Sequence, residues 1–166
     1  MDKIIKAIDA VNEQIGRCTA ILVLLMTLTA VGVVVLRYGF DTGFVWMQEL
    51  YVWMHGLLFT LGAGYALRHD RHVRVDIFYA DMSPRRKAWV NLCGTLFLLF
   101  PMIAVIIRTS FPYVLDSWQR FETSYQAGGM KGLFLLKTAL LLFCLFLGLQ
   151  ALALLLKNIR EVRRGS

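Results

Sequence analysis

The sequence reads as an all-α membrane protein, with four transmembrane helices, both termini on the cytoplasmic side and amphipathic helices lying at the membrane surface. Three observations predict this. Hydrophobic residues make up 58% of the 166-residue chain and charged residues 17%, against roughly a quarter charged in soluble domains. The charges are bunched between four apolar blocks, 18–36, 45–67, 88–107 and 138–156. At 1.5 Å per residue a helix of 19 or 20 residues reaches about 28–30 Å, the thickness of a bilayer's hydrocarbon core.

The elements follow in order. Ile4, Ile8, Val11 and Ile15 recur at helical spacing among charged residues, so residues 3–16 read as a surface helix. The first apolar block exceeds the length of a signal-peptide core, and no small-x-small cleavage site follows it before Arg37, so it reads as a retained span. In the second block Gly56, Thr60 and Gly64 form a stripe of small residues that lets another helix approach closely, inside the bundle or on a partner. Ser83-Pro84 is a helix start, with a capping hydroxyl followed by a proline suited to the first turn, and Pro101 is expected to kink the third span. A second apolar stripe, Phe111, Val114, Leu115, Trp118 and Phe121, predicts another surface helix at 111–123, ended by Gly128-Gly129. The fourth span then completes a single membrane domain covering 1–166.

Orientation follows from the flanks. Thirteen Lys and Arg lie in the N-terminus, the loop after the second span and the tail, and five on the other side, which puts both termini in the cytoplasm. The net charge of +7 is therefore a topology signal, and a nucleic-acid partner is not expected. Cys18, Cys93 and Cys144 all fall in apolar blocks, so no loop disulfide is expected and they read as packing residues.

Residues able to carry chemistry are few. Glu49 stands one turn inside the second span, facing the level at which Arg37 ends the first, and an Arg37–Glu49 ion pair is expected to close that hairpin. His55 is expected to be a neutral, hydrogen-bonded core residue. His69, Asp70, His72 and Asp76 cluster in one loop, but without cysteine and at no zinc spacing. With no phosphate loop and no nucleophile at a recognisable distance from a base, neither an enzyme, a metal centre nor a cofactor is expected. A transporter complete in itself is also disfavoured: the two halves show no evident similarity, and no charge lies deep in a span.

Arg37-Tyr38 at the end of the first span, Trp46-x-x-Glu49 opening the second, Gly62-Ala63-Gly64, and His72-Val-Arg-Val-Asp76 together resemble the small membrane subunit of TRAP (tripartite ATP-independent periplasmic) transporters, the DctQ-like family. Gln48 departs from the family, which often has a second acid there. Ser117-Trp118, Glu122, Ser124, Gly128-Gly129, Phe134, Lys137 and Gln150 resemble a branch associated with organic-acid uptake. The resemblance implies a bacterial inner-membrane complex in which a periplasmic binding protein captures an organic anion. A large multi-helix subunit then carries the anion inward by an elevator motion driven by sodium. The small subunit is implied to be a static scaffold in contact with membrane lipids. Trp118, Arg120, Glu122 and Lys131 are its candidate docking residues for the binding protein. The alternatives are a self-contained four-helix exporter working as a dimer, which would need the carboxylate that the first span lacks, and a structural protein unrelated to transport.

Overall fold

The computed structural model describes residues 2–72 and 79–164. Four helices long and apolar enough to cross a membrane run up and down: α1 (Asp2–Gly39), α2 (Val45–Arg68), α3 (Pro84–Gln119) and α4 (Leu133–Arg164). The two terminal helices lie side by side at one end, where Arg160 pairs with Asp2. α1 packs along α2, while α2 and α3 both pack on α4, which α1 also reaches. Among the described residues α2 and α3 meet far less than either meets α4, sharing the cluster around Ile103, and a groove runs between them along α4.

The central position of α4 shows in its burial. A third of its most apolar stretch is buried, against 6% in α1, 6% in α2 and 11% in α3. Small residues allow this, because Ala139, Cys144, Ala151 and Ala153 let the neighbouring helices close in. Two apolar clusters result, Ile103 with Cys144 and Leu147, and Ile5 and Ile8 with Ala153.

The segment 3–16 is not a separate surface helix. It continues unbroken into the first span, giving a helix of 38 residues, about 57 Å long. Ile5 and Ile8 are covered by α4 instead of lying on a membrane surface, while Ile4 and Val11 face outward. The segment 111–123 is likewise the end of α3. That helix stops at Gln119, well before the glycine pair, because Phe121 takes a left-handed conformation (φ 46°). Phe121 N–H then bonds Trp118 O and Glu122 N–H bonds Ser117 O, the two bonds of a Schellman cap. The α2 terminus is built the same way, with Asp70 at φ 54° and bonds from Asp70 to Leu67 O and from Arg71 to Ala66 O.

Ser83 caps α3 as its sequence predicts, accepting the Arg86 N–H at 3.5 Å, with Pro84 in the first turn. Pro101 is accommodated by a single π-helical stretch, Thr95–Leu99, just ahead of it. The wider turn relieves the crowding that a proline ring imposes on the preceding residues. The three cysteines are free thiols: Cys144 is buried, whereas Cys18 and Cys93 are exposed, with Cys18 Sγ accepting from Gln14 at 3.8 Å.

Candidate functional site

At the end opposite the termini, residues 120–132 fold into a strap across the bundle, closed on itself by Ser124 N–H to Met130 O at 3.0 Å. Two carboxylates anchor it. Glu49 accepts the Met130 N–H at 2.6 Å and the Ser124 hydroxyl. Gly129 is needed there, because a Cβ on it would come 2.9 Å from Glu49 Oε1 and nearer still to Ser124. Glu122 turns inward to Lys137 and to the hydroxyls of Ser117 and Tyr125. The Lys137 ammonium first, then Ser117 and Tyr125, hold the Glu122 carboxyl down to about 2. Lys137 Nζ in turn stands 3.9 Å from the centre of the Tyr113 ring.

Glu49 therefore belongs to the strap and not to Arg37. Arg37 is exposed on the last turn of α1, while Glu49 already has a backbone amide and a hydroxyl from residues 124–130, so the expected ion pair is replaced by a hairpin-to-strap contact. Glu122, a candidate for docking a soluble partner, is likewise turned into the protein, with its side chain 15% exposed against 12% for Lys137. Trp118 donates to Thr138 at 2.9 Å and packs edge-on against Phe134. Arg120 is exposed and pairs with Asp116 one turn back, and Lys131 is exposed on the strap. Among the other motif residues, Tyr38 is 82% exposed and Trp46 lies at the start of α2 against Phe44. His72 approaches Ala63 O at 3.4 Å, and Asp76 lies outside the described residues. His55 is not a core residue, being exposed with its ring against Phe59 at 4.8 Å.

The small-residue stripe faces α4, with Gly64 buried and Gly56 and Thr60 half-buried. A Cβ at Gly56 would meet Leu136 of α4 at an ordinary 3.7 Å, and Thr60 bonds back to Gly56 O. Gly64 is tighter: its Cβ would fall 2.9 Å from Phe146 O and closer to Asn12 Oδ1. Here α1, α2 and α4 meet in a polar cluster that sequence reasoning did not find. Asn12, fully buried, donates to Gln150 Oε1 at 3.0 Å, and Gln150 donates to Asp9 at 2.9 Å. Lys157 completes the chain on Asp9, also at 2.9 Å. Alongside it Glu13 receives Arg68 at 2.7 Å, His69 at 2.9 Å and Arg17 at 3.0 Å. The available signal was Gln150 itself, an amide in an otherwise apolar span, which needs a partner wherever it lies. Asn12 Oδ1 rests against Gly64 with no hydrogen-bond donor among the described residues.

These features define an all-α, multi-pass membrane protein in which Asp9, Glu13, Glu49 and Glu122 tie helices and one strap together. The chain belongs to a family: the model of the DctQ component of tripartite ATP-independent periplasmic transporters matches residues 20–161. It is a component of a TRAP transporter, from a family of transporter components and not of enzymes. No curated protein and no solved structure matched the chain.

Proposed function

We propose that the chain is the static scaffold subunit of a sodium-driven, binding-protein-dependent importer of an organic acid anion. In this reading it sits in the bacterial inner membrane with both termini cytoplasmic and braces a large elevator-type subunit. Its outer segments, 37–45 and 111–137, help receive the periplasmic binding protein through Trp118, Arg120 and Lys131.

One observation carries the reading. The most apolar stretches of α1 and α3 are almost unburied, with Ile21, Leu24 and Leu28 on α1 and Phe97, Leu98 and Val105 on α3 each more than half exposed. Surfaces of this size need lipid or another membrane protein against them. The polar groups, by contrast, are engaged in holding helices to one another, as a rigid support requires. Substrate uptake into proteoliposomes under a sodium gradient with the binding protein supplied, measured with this chain alone, with the large subunit alone and with both, tests it. Uptake needs both in the scaffold reading, and uptake by this chain alone would refute it.

A further inference from the structure

Two clefts open beside the strap and share Val52, Tyr125 and Leu133. The upper, about 430 Å³, has Glu49, Gln48, Tyr51 and Gln126 in its wall. The lower, about 360 Å³, continues along the groove between α2 and α3 over Gly56, Leu136 and Leu140, with α4 as its floor. The combined cleft is polar and aromatic at the strap and apolar toward the middle of the span. That is the profile of a phospholipid at the level of its headgroup.

The charge selects the headgroup. Glu49 is hydrogen-bonded by neutral donors alone, Ser124 and the Met130 amide, and has no cationic partner among the described residues. Lys137, which lines the lower cleft, is already taken by Glu122 and the Tyr113 ring. A carboxylate beside tyrosine rings, with amide oxygens in reach, is a wall that receives an ammonium group. We propose that this cleft holds an aminophospholipid, its ammonium at Glu49 and one acyl chain in the groove along Gly56. The proposal rests on membrane placement and not on the scaffold reading, so either can fail alone.

Native mass spectrometry of the full chain, released from detergent with equal phosphatidylethanolamine and phosphatidylglycerol of matched acyl chains, tests it. The expected result is about a fivefold preference for phosphatidylethanolamine, falling to parity in Glu49→Gln. Val52→Trp, which blocks the junction of the clefts and leaves both Glu49 hydrogen bonds in place, is expected to lower retention of both lipids. If Glu49→Gln fails to fold, as judged by far-UV circular dichroism, Gln126→Lys supplies a fixed cation and is expected to abolish the preference. Parity in the wild type, a preference that survives either charge substitution, or undiminished retention in Val52→Trp overturns the proposal. A preference lost when the chain is purified with the large subunit overturns it in favour of a polypeptide occupant.

Discussion

Gly64→Ala is the sharpest test of how the three helices meet. Its added methyl would lie 2.9 Å from the Phe146 carbonyl oxygen and nearer to Asn12 Oδ1, where carbon and oxygen rest at about 3.3 Å or more. The carbonyl belongs to the backbone of α4, and the buried Asn12 is held by Gln150, so neither neighbour can rotate away freely. Overpacking costs roughly 1–3 kcal/mol. Displacing Asn12 breaks its bond to Gln150 and leaves a buried acceptor unpaired, at a further cost of roughly 1–3 kcal/mol. Alanine returns about 0.5–1 kcal/mol in helix propensity, so the net loss is about 3 kcal/mol. Equilibrium unfolding of the purified chain in mixed micelles, followed by circular dichroism, measures this. Gly62→Ala, where no described residue lies within 4 Å of the new methyl, serves as the control and should match or exceed the wild type. Combining Gly64→Ala with Asn12→Ala should recover at least about 1 kcal/mol of the clash as coupling. Equal stability of Gly64→Ala and Gly62→Ala, or a coupling of zero, would refute the reasoning.

Other outcomes follow from the strap and the polar cluster. The Glu122 carboxyl is held below its ordinary value of 4.5, at about 2, so its contribution is complete above about pH 4.5 and is lost as pH falls toward 2. Fluorescence of a variant keeping only Trp118 should show the strap detaching in that window, and a midpoint at or above pH 5 would count against it. Arg37→Gln should change stability by less than about 0.5 kcal/mol and leave hydrogen exchange at 120–132 unaltered. Glu49→Gln should speed that exchange, and matching effects would restore the ion pair in place of the strap contact. Charge reversal at Arg120 and Lys131 should weaken binding of the periplasmic protein in a salt-dependent manner with membrane assembly intact, and unchanged transport kinetics would exclude that surface.

The spans were legible because apolar length is a strong signal, and Ser83-Pro84 because capping chemistry is local. The helix ends were not. Phe121 and Asp70 occupy positions where glycine is the usual mark, so the sequence reads past both. At Phe121 the edge-on contact of its ring with Phe134, 5.8 Å between centres, helps hold the unusual conformation. The segment 3–16 differs from its surface-helix pattern for a related reason: periodicity reports that one face is apolar, but not whether lipid or α4 covers it. Glu49 was recognised as important, yet its partners come from a strap 75 and 81 residues further on. No spacing rule reaches that far.

The Asn12–Gln150 bond also carries a history. Its partners are 138 residues apart, so at about 5–20 residues per second of synthesis Asn12 waits roughly 7–28 seconds for its acceptor to be made. During that time the first hairpin has no Gln150 to cover Asp9 and Asn12, and water takes its place. This favours their place on the part of α1 beyond the apolar stretch 18–36. The fourth helix closes the first, and a chain cut short before α4 leaves that polar face open.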